Sequence, residues 1–136
     1  MVRKAVNDYE NMSVLDIEYG YFPSYTIHTL YEIEKKYPKN KFFILLGKDS
    51  FFSLRKWKNY KIILSKYNIL VYPRIGNFSH SVCKQKKDNI IFLKAPIIEI
   101  SSSFIRKCIQ EGKNMKALLH ARVWDYIKKY KFYMKK

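Results

Sequence analysis

Two kinds of hydrophobic pattern alternate along the chain. Short apolar runs at 41–47 and 68–74 are typical of strands that a parallel sheet buries on both faces. Around these runs, apolar residues recur three or four positions apart, which is the spacing of one face of an α-helix. Strands that alternate with helices predict an α/β fold with a largely parallel sheet.

The predicted helices are bounded by recognisable residues. Pro38 ends the second, because proline cannot continue a helix. Ser101 or Ser102 can cap the fourth, and Gly112 marks its end. We expect helices at 2–9, 27–37, 57–64, 101–112 and 118–130, strands at 13–18, 41–47, 68–74 and 90–93, and a polar loop at 75–89.

Composition narrows the class of protein. The chain has 136 residues, which is a typical length for one domain. Of these residues 48% are hydrophobic, which excludes a disordered basic tail. No apolar run approaches the roughly 18 residues of a membrane-spanning helix. Two cysteines are too few for a disulfide framework and favour a reducing cytoplasm, with Cys83 as a surface thiol and Cys108 as an apolar helix residue. The net charge of +16 points to phosphate-bearing partners.

Polar residues follow the predicted strand at 41–47, at the end where parallel sheets bind ligands. Gly47 permits close approach of the backbone, and the carboxylate of Asp49 can accept ribose hydroxyls or hold a metal-bound water. The alternative is that Asp49 or Ser50 caps the next helix. The sequence favours neither interpretation over the other.

Two further polar clusters lie at predicted helix starts. In Ile100–Arg106 (ISSSFIR), three hydroxyls, the free N–H groups of a helix start and a guanidinium favour phosphate binding, because capping alone needs one serine. Near Pro23, the side chains of Ser24, Tyr25 and Thr26 can donate to an anion, but this cluster alone is no stronger than a cap.

The sequence contains no P-loop and no GxGxxG motif, and its histidines have no metal-binding spacing. We expect them to be partly exposed histidines without a metal: His28, His80 and His120.

Five segments, in this order and spacing, resemble bacterial nicotinate-nucleotide adenylyltransferase over nearly the whole chain. They are SYTIHTL, FFILLGKDSFFSLRKWKNYKIIL, YPRIG, ISSSFIR and VWDYIKKYKFY. That family has a Rossmann-like nucleotidyltransferase sheet and transfers AMP directly from ATP to nicotinate mononucleotide, forming deamido-NAD and pyrophosphate in NAD biosynthesis. The resemblance implies ATP and nicotinate mononucleotide as partners, Mg²⁺ with ATP, a cytoplasmic location and a single nucleotidyltransferase domain over residues 1–136.

The resemblance also implies roles for particular residues, although it identifies no catalytic or metal-ligating side chain here. GKDS is similar to the family's GxDS and ISSSFIR to its ISSTxIR. These matches imply ATP binding by Gly47, Asp49, Ser101, Ser102, Ser103 and Arg106. Nicotinate mononucleotide is expected on Ser24, Tyr25, Thr26, Trp57 and Arg74, with Trp57 stacking on the pyridine ring and Arg74 meeting the phosphate.

The sequence also departs from the family. His28 stands where the family usually has Asp, and the opening strand with its Gly-rich, two-His motif is missing. We therefore expect an amino-terminally truncated fold without the first strand, phosphate loop and first helix.

Two alternative functions stay open. One is a small basic nucleic-acid-binding protein, favoured by the +16 charge and by aromatic residues interleaved with lysine, and the other is an inactive fragment of the adenylyltransferase. Self-association into a homo-oligomer is a further expectation.

We predict that these 136 residues alone transfer little or no AMP, because the missing histidines would supply part of the charge stabilisation. A chain that carries a strand, a Gly-rich two-His loop and a helix ahead of Met1 should recover the transfer. Release of pyrophosphate from ATP and nicotinate mononucleotide measures both proteins. Strong turnover by the 136 residues alone would contradict the expectation.

Overall fold

The computed structural model describes residues 1–76 and 88–135, and the chain divides into two compact units. One unit consists of Met1–Asp16 with Ile100–Lys136, and the other of Ile17–Glu99. A single domain over residues 1–136 stays a prediction. Most of the loop expected at 75–89, with Cys83 and His80, lies outside the described residues. No helix in the described part of the chain is long and apolar enough to span a membrane.

Helices and strands alternate along the described chain, as the hydrophobic patterns predict. The strands are β1 (Phe43–Gly47), β2 (Asn68–Tyr72) and β3 (Ile90–Phe92). The helices are α1 (Val2–Val6), α2 (Thr26–Lys36), α3 (Lys48–Ser53), α4 (Tyr60–Lys66), α5 (Ser102–Gln110) and α6 (Ala121–Tyr130), with short 3-10 helices at Leu54–Lys56 and Lys116–Leu118.

The three strands form a parallel sheet in the order β1-β2-β3. β2 is central among the described strands, and its Ile69 and Val71 are almost completely buried. They join a core that includes Ile27 of α2 and Ile63 of α4. The predicted α/β fold with a parallel sheet is confirmed.

β1 is buried on one face only. Ile44 and Leu46 pack against the core, whereas Leu45 is 63% exposed and Phe43 is 50% exposed. The expectation that this strand is buried on both faces is therefore wrong. A continuous apolar run cannot distinguish a strand covered on both sides from one whose second side is open, because both keep every position apolar.

Residues 13–18 form no strand, which also contradicts the sequence pattern. No strand pairing within 1–76 or 88–135 involves them, and β-forming residues without a neighbouring strand cannot complete their backbone hydrogen bonds in a sheet. Their acidic side chains make other contacts: Asp16 accepts from Arg3, and Glu18 accepts from Thr29 Oγ1 at 2.6 Å.

The unit of Met1–Asp16 and Ile100–Lys136 is helical and has a core of its own. Cys108 and Ile109 of α5 are buried with Val123 and Trp124 of α6. Cys108 is thus a buried, apolar helix residue, as expected. Gly112 follows α5 with a φ of +78°, a conformation that favours glycine, and it ends the helix as predicted.

The open face of β1 and the buried strand β2 predict two different costs for a substitution by threonine. Leu45→Thr should change the free energy of unfolding by less than about 0.5 kcal/mol, because the side chain is exposed. Ile69→Thr should cost about 2 to 4 kcal/mol, because it removes buried methyl groups and buries a hydroxyl. Urea unfolding measures both, and equal losses would contradict the exposure of Leu45 on β1.

Candidate functional site

Parallel pairing brings the carboxyl ends of β1 and β2 to the same edge of the sheet. Gly47, the last residue of β1, is level with Tyr72, the last residue of β2. A Cβ built on Gly47 would lie 3.3 Å from Arg74 Nε and 2.5 Å from Asp49 Oδ1. Gly47, Asp49 and Arg74 therefore form one group, called here the strand-end cluster.

Both charged members of the strand-end cluster are exposed. Asp49 lies in the first turn of α3, where the helix dipole favours a negative charge. Helix α3 begins at Lys48 and Gly47 is its N-cap, with no side-chain capping bond, so the alternative that Asp49 or Ser50 caps it is wrong. No salt bridge among the described residues involves Asp49 or Arg74, which leaves both charges available for a ligand.

A second group of predicted residues meets where α2 begins. Thr26 is the first residue of α2, and Trp57 directly follows the 3-10 helix Leu54–Lys56. The side chains of Tyr25 and Trp57 are half-buried and pack against the same core. Lys58 Nζ lies 4.2 Å from the centroid of the Tyr25 ring, so the segment of Trp57 lies beside the segment of Thr26.

His28 takes part in this second group. Its ring meets the Tyr25 ring edge to face, with centroids 5.6 Å apart, and its side chain is exposed. An imidazole therefore lies beside Tyr25 at the position where the resemblance expects an aspartate. Ser24, the remaining predicted member, is exposed just before Tyr25.

The serine-rich segment starts α5, in the helical unit. Ser101 Oγ accepts a hydrogen bond of 3.1 Å from the Phe104 N–H and so caps the helix, as predicted. Ser102 and Ser103 lie in the first turn and are exposed. A cap uses only the first of the three hydroxyls.

Arg106 lies one turn into α5 and its side chain is exposed. Its guanidinium donates to Ser103 Oγ at 3.3 Å and lies 6.0 Å from the centroid of the Tyr133 ring. The nearby carboxylate of Glu111 pairs with Lys113 instead, at 2.7 Å, and the hydrogen bond from Lys113 lowers the pKa of Glu111. Arg106 is thus held by a hydroxyl and a ring and keeps its charge without a carboxylate among the described residues.

The described ranges contain no group of three or more His, Cys, Asp or Glu side chains that could hold a metal ion. His120 is a capping residue: its Nδ1 accepts from the Arg122 N–H at 3.3 Å at the start of α6. It is half-buried, in agreement with the expected partly exposed histidine.

Curated relatives match almost the entire chain. The sequence is 43% identical over 136 residues to a probable nicotinate-nucleotide adenylyltransferase of Flavobacterium johnsoniae, covering 99% of this chain and 70% of that protein. A protein of the same description from Flavobacterium psychrophilum is 41% identical, with the same coverage of 99% and 70%. This chain belongs to the nicotinate-nucleotide adenylyltransferase family. Comparison with protein-family models found no match.

Solved structures agree on the fold of this family member. Two structures of Plasmodium falciparum nicotinic acid mononucleotide adenylyltransferase, complexed with APC and with NaAD, match it with a TM-score of 0.77 at 20% identity. They cover 98% of this chain, which in turn covers 72% and 71% of theirs. The Rossmann-like nucleotidyltransferase fold with a mostly parallel sheet is thereby confirmed.

Sequence reasoning selected the members of each group, but it missed two neighbours. Lys58 contacts Tyr25, and Tyr133 contacts Arg106. Lysine next to Trp57 is a weak signal in a chain with 27 Lys and Arg residues, so only the fold reveals that contact.

Gly47→Ala tests whether the strand-end cluster needs a residue without a side chain. The backbone φ of −66° suits alanine, and the added methyl group meets side-chain atoms of Asp49 and Arg74 that can move. We expect a nearly unchanged thermal unfolding midpoint and at least about tenfold weaker ATP binding in calorimetry, a loss of about 1.4 kcal/mol. Ser50→Ala, one position beyond Asp49, is the control. Unchanged ATP binding in Gly47→Ala would contradict the assignment of this cluster.

Proposed function

We propose that this chain serves the transfer of AMP from ATP to nicotinate mononucleotide, giving deamido-NAD and pyrophosphate in NAD biosynthesis. One observation carries the proposal. In this chain, which belongs to the family, Gly47, Asp49 and Arg74 are grouped at the carboxyl ends of β1 and β2. Nucleotides bind at this edge of open parallel sheets. The proposal assigns the two nucleotides to the groups of residues described above.

Nicotinate mononucleotide is assigned to the start of α2 and to Trp57. Trp57 is half-buried and packs against the core, and the exposed part of its ring can stack on a pyridine ring. Thr26, with Ser24 and Tyr25, contributes hydrogen-bond donors at the helix start. Arg74 is assigned to the mononucleotide phosphate, to which a guanidinium can donate two parallel hydrogen bonds.

ATP is assigned to Gly47 and Asp49 in the unit of Ile17–Glu99, and the start of α5 in the helical unit is assigned by itself to phosphate binding. Gly47 lets the nucleotide approach the backbone closely, and the Asp49 carboxylate can accept ribose hydroxyls. The N–H groups at the start of α5, with the hydroxyls of Ser101, Ser102 and Ser103 and the guanidinium of Arg106, suit phosphate oxygens.

Mg²⁺ is proposed to enter with ATP. The ion keeps several waters and needs only one or two carboxylates besides the phosphates, so the lack of a three-ligand group among the described residues is compatible with it. The exposed carboxylate of Asp49 at the strand ends would hold it through water. When bound, the ion would neutralise phosphate charge.

The proposed reaction is a direct transfer. An oxygen of the mononucleotide phosphate forms a bond to the α-phosphorus of ATP, and the bond from that phosphorus to the oxygen leaving with pyrophosphate breaks. The protein carries no covalent intermediate, so the role of its side chains is to orient two anions and to reduce their mutual repulsion. Arg74, in the strand-end cluster, supplies a permanent positive charge for this purpose.

Trp57→Ala tests the proposed binding of nicotinate mononucleotide. Loss of the stacked ring should weaken that ligand by about 1 to 3 kcal/mol, the range for aromatic stacking on a nucleobase, while ATP binding changes little. Calorimetric titration of the chain with each ligand separately measures the two effects. Trp57→Phe, which keeps an aromatic ring, is the matched control and should retain most of the affinity.

The same titrations include an outcome against the proposal. Equal weakening of both ligands, together with a lower unfolding midpoint, would mean that Trp57 only packs against the core.

A further inference from the structure

The most compact contact between a cation and a ring in the described residues joins the two segments assigned to nicotinate mononucleotide. Lys58 Nζ lies 4.2 Å from the centroid of the Tyr25 ring, whereas the other such contacts between described residues range from 5.3 to 6.0 Å. Lys58 directly follows Trp57, and Tyr25 directly precedes Thr26. The ammonium group is therefore held beside both segments.

The backbone around Lys58 is fixed by a turn. The Tyr60 N–H donates to the Trp57 carbonyl at 3.2 Å, and Asn59 has a φ of 54°, a left-handed conformation that asparagine tolerates. Along the chain, Lys58 lies in this turn between the half-buried Trp57 and the start of α4. A surface lysine on a fixed turn loses less freedom on binding than one on a flexible loop.

The charge of Lys58 has no counter-ion among the described residues. Its side chain is exposed, and no salt bridge between described residues involves it. The other ionisable group described at the Tyr25 ring is His28, which is also a basic residue. The surroundings of Tyr25 thus combine an ammonium and an imidazole and suit a ligand with a negative charge.

We propose that Lys58 is a specificity-determining residue that pairs with the carboxylate of the nicotinate ring. The proposal rests on the function proposed above, which places that ring at Trp57. A carboxylate accepts a charge-assisted hydrogen bond from an ammonium, whereas the neutral carboxamide of nicotinamide mononucleotide accepts a weaker one. Lys58 therefore favours the acid over the amide, and Tyr25 holds it in place by contact with its ring face.

Calorimetric titration of the full chain with nicotinate and nicotinamide mononucleotides tests this role. Lys58→Gln should weaken the nicotinate ligand about tenfold and change the nicotinamide ligand less than about twofold. Lys58→Arg, which keeps the charge, should preserve most of the preference. Lys56→Gln is the matched control, because it removes one exposed charge on the other side of Trp57 and should leave the preference unchanged.

The ratio of the affinities for the two mononucleotides distinguishes a role of Lys58 in specificity from a purely structural role. Equal weakening of both ligands, or no change in either, would overturn the role of Lys58, as would an equal loss of preference in Lys56→Gln. If Lys58→Gln does not fold, Lys58→Arg is compared with the unchanged chain. Loss of the preference for nicotinate mononucleotide in Lys58→Arg would also overturn the role of Lys58. A chain with its natural sequence that binds neither mononucleotide would instead refute the proposed function.

Discussion

The parallel register of β1 with β2 is the constraint on which the strand-end cluster depends. It aligns Gly47 with Tyr72, so the two chains leave the sheet at the same level. Asp49 on the first turn after β1 and Arg74 just beyond β2 then flank the glycine, where a larger residue would meet both side chains. A shift of one residue in this register would turn β2 over and remove its buried side chains from the core.

The second requirement is a rigid aromatic surface at the start of α2. Tyr25 and Trp57 are half-buried, and their packing against the core restricts their rings. Lys58 Nζ then lies 4.2 Å from the centroid of the Tyr25 ring. The same burial that stabilises this unit therefore positions the groups proposed to recognise nicotinate mononucleotide. The net charge of +16 is spread along the sequence. The positions of a few cations therefore indicate the proposed binding site better than the total charge does.

Much of the fold follows from local patterns. Alternating apolar runs and helical spacings predict β1, β2 and β3 and, between β1 and β2, the helix observed as α4, because burial of one face imposes those periods. They do not predict the short helix α3. The strand expected at 13–18 is absent, since a strand also needs a partner, and pairing is not encoded in its own residues. Burial of β1 on one face only depends likewise on what lies across the sheet, as the exposure of Leu45 shows.

The candidate site likewise has features that the sequence predicts and features that it does not. Residues after strand ends and at helix starts could be selected from the sequence, because topology assigns ligands to those places. Contacts between segments that are distant in the sequence could not be predicted. The contact of Lys58 with Tyr25 and that of Arg106 with Tyr133 are two examples. Ser101 illustrates the intermediate case: its capping bond was predictable, whereas its exposure beside Ser102 and Ser103 required the fold.

The central claim, that nicotinate mononucleotide binds at Trp57, has a direct test in nuclear magnetic resonance. The chain has two tryptophans, and the second, Trp124, is buried in the core of the helical unit, so its indole N–H signal is an internal reference. Titration of the nitrogen-15-labelled chain with nicotinate mononucleotide should move the Trp57 indole signal to saturation and leave that of Trp124 in place. A Trp57 signal that stays unmoved at saturating ligand, or equal movement of both signals, would contradict the account.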